Sequence, residues 1–215
     1  MSLKKQDIVL WVKKIIVCTL GIFFLGLSGA INIKTGLGAD PITVFYEGLS
    51  KFLHSDIGLT INILNASLTV LIFFIERKYV HLGTLIYVLL LGIFVNCGMW
   101  LYDLLQISDI FIVKLLVSIA GCFIAFLGLG MYISIDIGID PWSAVSVIAS
   151  KKTGKSFALI RFVQDASTLL LGVLMGGTVG IITVFSVLAG GPIIQKAIYL
   201  VDKMLKNMLK STCED

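Results

Sequence analysis

The chain has 215 residues, of which 58% are hydrophobic and 14% are charged, with a formal net charge of +4 and a mean hydropathy of +1.02. This composition excludes an ordinary soluble globular protein and predicts an integral membrane protein. The sequence contains no GxxxxGK[ST] phosphate-binding loop, and its length leaves no room for a soluble ATPase or catalytic domain. We therefore expect a single membrane domain over residues 1–215. Any energy source for its activity would be an ion gradient, the gradient of its own solute or another subunit.

Six apolar stretches are long enough to cross about 30 Å of hydrocarbon as helices, which requires about 20 residues each. In chain order they lie at residues 15–33, 57–75, 80–102, 110–133, 157–175 and 179–201. Pro192 falls within the last stretch and should kink or break that helix. The pattern predicts an all-α integral membrane protein with six transmembrane helices.

Two shorter apolar stretches lie between these spans, at residues 41–53 and 141–151. At about 1.5 Å per residue, helices of this length reach about 20 Å, which is too short to span a membrane. Each follows a Gly-Xaa-Asp-Pro turn, within "GLGADP" and "IGIDP". Pro41 and Pro141 suit a first helical turn, and Asp40 and Asp140 precede them at the N-cap position. We expect two capped half-helices, either re-entrant or interfacial; direct binding of a solute or cation is the alternative role for the two aspartates.

The two halves of the chain resemble each other. Matching residues recur at an offset of 100, and after one deleted residue at an offset of 99: Gly38 with Gly138, "NAS" (65–67) with "DAS" (165–167), and Thr84 with Thr183. These coincidences predict two repeats, 15–102 and 115–201, followed by a cytoplasmic tail at 202–215; chance similarity between apolar segments is the alternative. Each repeat holds three spans, so the second would enter the membrane from the opposite side, as an inverted repeat.

The distribution of positive charge tests this topology, because short cytoplasmic loops accumulate Lys and Arg. Twelve basic residues fall on one side of a six-span topology: Lys4, Lys5, Lys13, Lys14, Arg77, Lys78, Lys151, Lys152, Lys155, Lys203, Lys206 and Lys210. The other side receives Lys34 and Lys51, with Lys114 near the end of a span. We therefore expect both termini in the cytoplasm.

Several polar residues fall inside the predicted spans, where a carboxylate is costly and commonly marks a pathway or a partner. Asp165 lies near the middle of the fifth span, four residues after Arg161, so the two side chains share one helix face. The candidate solute-binding residues are Asp165, its neighbours Arg161 and Gln164, its repeat mate Asn65, and Asn62, Asn96 and Gln195. Interhelical hydrogen bonding is the alternative role for Asp165, Asn62 and Asn65.

The sequence offers no constellation typical of catalysis or of metal binding. It contains two histidines, and its four cysteines show no CxxC spacing. We find no Ser/His/Asp set and no Cys/His set. We therefore expect no catalytic residue, no metal and no cofactor, and a protein that is not an enzyme.

Three segments carry a family resemblance: "GLSGAINIKTGLGADPITVFYEGLS", its echo "GLGMYISIDIGIDPWSAVSVIAS", and "TVGIITVFSVLAGGPII". They resemble the YczE/YyaS/YitT family of bacterial multi-spanning membrane proteins, and the similarity covers most of the chain. The resemblance implies a location in the bacterial cytoplasmic (inner) membrane. The biochemical role of that family is poorly defined, so it assigns no catalytic residue.

These features predict a membrane transporter for a small polar or amphipathic solute, bound at the repeat interface near mid-bilayer. One alternative is a substrate-capturing subunit that uses a separate ATPase. Another is a membrane scaffold or accessory protein for a biosynthetic or envelope enzyme. The expected partners are the lipid bilayer and the small-molecule solute, with a homodimer mate or an energising subunit as further options, and no nucleic acid is expected.

Overall fold

The computed structural model describes residues 3–210, with side chains described from residue 8 to residue 204. This part of the chain contains no strand and eight α-helices: α1 (Leu3–Thr35), α2 (Pro41–Leu53), α3 (Ile57–Glu76), α4 (Leu82–Leu104), α5 (Phe111–Ser134), α6 (Pro141–Thr153), α7 (Phe157–Leu174) and α8 (Ile181–Lys210). A 3-10 turn, Arg77–Tyr79, follows α3. The predicted all-α class is confirmed.

Six of these helices, α1, α3, α4, α5, α7 and α8, are long and apolar enough to cross a membrane by length and composition. Their number agrees with the prediction, and their ends agree within a few residues except in α1. The helix α1 extends on the N-terminal side of the predicted span, from residue 15 back to Leu3. Lys13 and Lys14 interrupt the apolar run in the sequence, but lysine is a good helix former and the helix continues through both.

The last helix is not broken by its proline. Pro192 lies inside α8, which continues to Lys210, so of the two expected outcomes, a kink or a break, the break does not occur. Membrane helices tolerate an internal proline because neighbouring groups and small local adjustments satisfy the backbone carbonyl that it frees. The predicted tail at 202–215 begins as part of this helix, and its residues 211–215 lie outside the described residues.

The centre of the bundle is a close crossing of α1 and α5. A Cβ added to Gly21 would lie 2.7 Å from the carbonyl oxygen of Gly128, and one added to Gly128 would lie 2.6 Å from that of Gly21. The two backbones are therefore in contact, as small residues allow between membrane helices. α4 packs on α1, and α8 packs on α5.

The two short helices lie between the long ones. α2 packs on α7, and α6 packs on α3 and α7. A Cβ on Gly48 of α2 would overlap the carbonyl oxygen of Gly172 in α7, so these two helices also meet backbone to backbone. A core cluster at the centre of the protein includes four buried aromatic side chains: Tyr46, Tyr87, Tyr132 and Trp142.

Candidate functional site

Each short helix begins with an aspartate at its N-cap. Asp40 accepts hydrogen bonds from the backbone N–H of Thr43 at 3.2 Å and from its hydroxyl at 2.7 Å. Asp140 accepts one from the backbone N–H of Ser143 at 2.9 Å. The carboxylates thus pair with N–H groups that a helix start leaves free. The two differ in exposure, since Asp140 is buried and Asp40 is exposed.

The two short helices meet through their side chains. The indole N–H of Trp142, in the first turn of α6, donates to the hydroxyl of Tyr46 in α2 at 2.7 Å. That hydroxyl donates in turn to Oδ1 of Asn65, in the middle of α3, at 2.9 Å. We call these three residues the aromatic junction. All three are buried, so the junction joins α2, α3 and α6 in the interior.

The predicted polar residues of α7 face α6. Nε of Arg161 lies 3.1 Å from Oδ1 of Asp165, and its Nη1 donates to Ser143 of α6 at 3.3 Å. One turn further along α6, the hydroxyl of Ser146 donates to Oε1 of Gln164 at 2.6 Å. The Arg161 and Asp165 side chains are 32% and 30% exposed, so this ion pair is neither sealed in the core nor on an open surface.

Asp40 lies within electrostatic reach of this ion pair. Asp40 is exposed, whereas Asp165 is half-buried and its Oδ1 atom is buried. We call Asp40, Ser143, Arg161 and Asp165 the polar cluster. It holds two carboxylates and one guanidinium, and it adjoins the aromatic junction because Ser143 follows Trp142 directly in α6.

Buried amide groups remain without a partner beside these contacts. Asn65 is completely buried, and its Nδ2 has no hydrogen-bond partner among the described residues. The buried Nε2 of Gln164 is likewise unpaired within the same range. Unpaired buried donors are uncommon in folded proteins because each loses its bonds to water. Both donors belong to residues that α2 or α6 holds by their oxygen atoms.

The remaining predicted residues lie away from this region. Asn62 joins α3 to α4, since its Oδ1 accepts from Gly92 N at 2.8 Å. Asn96 makes a second such link, and its Nδ2 donates to Asp56 at 2.7 Å. That bond, together with one from the backbone, holds the pKa of Asp56 below its usual range. Gln195 lies on the exposed face of α8. The structure therefore gathers Asn65, Arg161, Gln164 and Asp165, and leaves Asn62, Asn96 and Gln195 elsewhere.

Sequence reasoning missed one buried carboxylate, Glu47 of α2. Its side chain is 6% exposed and lies 2.6 Å from the ammonium of Lys51. Glu47 also accepts from the backbone N–H and the hydroxyl of Thr178, at 2.9 and 2.8 Å. It therefore fastens the loop between α7 and α8 onto the short helix. The spacing of Glu47 and Lys51 signals an ion pair, but nothing in the sequence indicates the loop that it holds.

Contacts between the two halves occur in reciprocal pairs. Gly83 N, at the start of α4, donates to the carbonyl of Ile137 at 2.9 Å, and Ile182 N, at the start of α8, donates to that of Leu37 at 3.1 Å. The two donors are 99 residues apart and the two acceptors are 100 residues apart, which are the offsets at which the sequence halves match. Each Gly-Xaa-Asp-Pro turn is thus bound to the last helix of the other half.

The short helices show the same reciprocity at their far ends. Lys51 of α2 donates to the Thr178 hydroxyl at 3.3 Å, and Lys151 of α6 donates to the Tyr79 hydroxyl at 2.7 Å. Thr178 and Tyr79 match at the offset of 99. Both helices also end in a left-handed residue, His54 with φ 50° in one and Gly154 with φ 68° in the other.

The two turns lie at opposite ends of α4. Ile137, just before Asp140, binds Gly83 at the start of that helix. Lys34, just before the other turn, pairs with Asp103 near its end at 2.6 Å. A rise of about 1.5 Å per residue separates the two ends of α4 by about 30 Å. The residues that precede the two short helices therefore contact opposite ends of α4.

Within the described residues, no group of three or more His, Cys, Asp or Glu side chains is arranged to hold a metal ion.

A family model described as "Family of unknown function (DUF6198)" matches residues 12–198. An uncharacterized protein of Haemophilus influenzae is 23% identical over 85% of this chain and 82% of its own length. The uncharacterized membrane protein YczE of Bacillus subtilis is 24% identical over 81% of this chain and 80% of its own, and the uncharacterized protein YyaS of the same organism is 24% identical over 86% and 92%. The resemblance drawn from the sequence is thereby confirmed. No solved structure gives a significant match.

Proposed function

We propose that this chain, which belongs to the DUF6198 family of unknown function, transports a small polar or amphipathic solute across a bacterial membrane. The solute site in this proposal is the region of the aromatic junction and the polar cluster. Transport rather than catalysis is proposed because the side chains there can bind and release a solute through hydrogen bonds and charge.

The observation that carries this proposal is the meeting of the short helices through Trp142 and Tyr46, at 2.7 Å. Two half-helices that start inside a membrane protein and approach each other from opposite ends are a recurring plan of transporters, in which the solute binds between them. A break in regular backbone at such depth is tolerated only where it is enclosed by protein or lines a cavity. The exposure of Asp40, at the start of α2, supports a backbone break that lines a cavity.

The proposal includes an inverted repeat of residues 15–102 and 115–201. The reciprocal hydrogen bonds of Gly83 and Ile182 support it, as does the placement of the two turns at opposite ends of α4. In this arrangement the half that contains α2 would open the solute site to one side of the membrane, and the half that contains α6 would open it to the other side, in alternation. Both short helices would then be re-entrant rather than interfacial.

Asp165 and Arg161 are the residues that we propose to contact the solute or a coupled proton. Their side chains are 32% and 30% exposed, so both are partly accessible, although the Oδ1 atom of Asp165 is buried. An ionised aspartate inside a membrane costs about 2.5–3.5 kcal/mol on insertion scales, so an unproductive one would be expensive to keep. The contact of Arg161 with Ser143 supports the competing role, which is to bind α7 to α6.

A bacterial inner membrane and cytoplasmic termini complete the proposal. Bacterial relatives support the first, and the twelve basic residues on one side support the second. Cysteine labelling tests the topology: a label at Lys152 should react only from the cytoplasm and one at Asp109 only from outside. Reaction of both from one side would contradict the inverted arrangement.

Thermal stabilisation of the purified protein by a panel of small solutes, followed by flux into proteoliposomes, tests the proposed function. Asp165→Asn should fold and insert normally, because asparagine has nearly the same shape and its repeat mate is Asn65. We expect this variant to lose flux or its pH dependence, whereas Gln195→Ala, on the exposed face of α8, should keep both. If no solute stabilises the protein and none is transported, the proposal fails. Normal flux in a stable Asp165→Asn variant would overturn the role given to Asp165 alone.

A further inference from the structure

One end of the bundle carries a concentration of positive charge. Arg77 and Lys78 follow α3, and Lys151 and Lys152 lie in the last turn of α6. All four side chains are exposed. The packing of α3 on α6 brings the two pairs together through a small core cluster that includes Ile72, Ala144 and Ile148. We call these four basic residues the basic patch.

Among the described residues, Glu76 is the only carboxylate that forms an ion pair with the basic patch. Glu76 lies 2.6 Å from Lys78, and it also lies within electrostatic reach of Lys151 and Lys152. The ring of Tyr79 stands between two ammonium groups, with Lys78 at 5.3 Å and Lys151 at 5.2 Å from its centroid. Four cations around one carboxylate repel one another, and an added anion would relieve that repulsion.

The fold itself does not require this charge. In the other half, the positions that match Arg77 and Lys78 at the offset of 99 are Gly176 and Gly177. The equivalent short helix still packs on the equivalent loop there, and its Lys51 is paired with the buried carboxylate of Glu47. The same architecture thus forms once with a balanced charge and once with an excess.

The surroundings of the basic patch are apolar and exposed. The guanidinium of Arg77 lies 4.5 Å from the ring centroid of Phe73. Phe73 and Leu82 are 40% and 44% exposed, and Phe74 is 81% exposed. In a membrane protein such side chains face lipid tails, so the cations stand at the edge of the lipid-facing surface. A ligand that fits this edge has an anionic head and an apolar body.

We propose that the basic patch binds the phosphate headgroup of an anionic phospholipid, with its acyl chains lying along Phe73 and Phe74. Arg77 supplies a planar donor pair that matches phosphate oxygens, and Lys152 supplies a point charge. Lys78 and Lys151 keep their protein partners, Glu76 and Tyr79. This binding goes beyond transport and does not depend on it.

Native mass spectrometry of the purified protein, with phosphatidylglycerol and phosphatidylcholine of identical acyl chains in competition, tests the proposal. The wild type should retain phosphatidylglycerol preferentially. Arg77→Gln with Lys152→Gln should weaken that preference about 30-fold, from about 1 kcal/mol for each basic residue near the surface. Lys203→Gln is the matched control for Lys152→Gln alone, because each removes one positive charge and Lys203 lies in α8 outside the patch; Lys203→Gln should leave the preference within about twofold.

Three results would overturn the proposal. The first is equal retention of both lipids by the wild type. The second is an equal loss in the Lys203→Gln control, which would show a response to net charge. The third is that inorganic phosphate stabilises the protein as much as phosphatidylglycerol does, when each is added to protein in detergent micelles that contain phosphatidylcholine. That result would assign the patch to a free phosphate. If the double variant melts early in phosphatidylcholine, Lys152→Gln alone gives the same comparison, with an expected loss of about fivefold.

Discussion

Two buried tyrosines provide a controlled test of the aromatic junction. The Tyr46 hydroxyl accepts one hydrogen bond from Trp142 and donates one to Asn65. The Tyr132 hydroxyl is also buried, and it has no hydrogen-bond partner among the described residues. Replacement of either tyrosine by phenylalanine removes one oxygen atom and leaves the ring. The two variants therefore differ mainly in the hydrogen bonds that they lose.

Tyr46→Phe should destabilise the protein by about 2–3 kcal/mol. It leaves the indole N–H of Trp142 and the amide oxygen of Asn65 without a partner, and each unpaired buried group costs about 1–3 kcal/mol. Double-mutant cycles in membrane proteins average about 0.6 kcal/mol for each hydrogen bond, which sets a lower limit near 1 kcal/mol for the pair. Tyr132→Phe should leave stability unchanged or raise it by about 1 kcal/mol, because it removes a buried hydroxyl that has lost its bonds to water.

Reversible unfolding in mixed micelles with increasing SDS, followed by circular dichroism, measures both free energies of unfolding. A double-mutant cycle of Tyr46→Phe with Trp142→Phe isolates the shared hydrogen bond from the packing of the indole ring. The reasoning is refuted if Tyr132→Phe lowers the free energy of unfolding as much as Tyr46→Phe does, since the cost of Tyr46→Phe could then not be assigned to its lost hydrogen bonds. A coupling energy of zero in the cycle would have the same consequence for the bond between Tyr46 and Trp142.

His54→Gly should stabilise the protein by about 1 kcal/mol, because His54 has φ 50° at the end of α2, where glycine is the favoured residue. Gly154→Ala, at the matching position of α6, should destabilise the protein by a similar amount. Melting temperatures that shift in the same direction for both variants would contradict this. Asp56 has a lowered pKa because Asn96 donates to it, so the ionised carboxylate stabilises the folded state above its unfolded pKa and this stability is lost as the pH falls through the lowered value. Asn96→Ala should therefore melt earlier than the wild type at neutral pH, and the gap should narrow as Asp56 becomes protonated below about pH 4; a gap that does not change with pH would show that the carboxylate is not involved.

Local chemistry made the short helices predictable. Asp40 and Pro41 are an N-cap and a first-turn residue whatever surrounds them, so the start of α2 follows from the sequence alone, and Asp140 and Pro141 act in the same way. The aromatic junction could not be predicted, because it depends on how α2 and α6 are inclined within the bundle. The same limit applies to Asn62, whose position inside a span says nothing of the Gly92 backbone that it binds.

Two local signals do not end a helix in this protein. Lys13 and Lys14 interrupt an apolar run, yet a helix tolerates them, so α1 begins at Leu3, before the predicted span. Pro192 removes one backbone donor from α8 without ending the helix. In both places the helix continues past a local signal that favours its end, because lysine is a good helix former and a membrane helix tolerates an internal proline.

The paired hydrogen bonds of the two turns have a consequence for how the chain is made. Synthesis delivers the first half before the second, and at that stage the carbonyl of Leu37 and the N–H of Gly83 have no partner, because both partners belong to residues still to be synthesised. A buried backbone group that lacks a partner costs about 1–3 kcal/mol. The first half therefore stays incompletely folded until the second half is synthesised. Two half-length chains produced together should complement each other, whereas either one alone should be degraded.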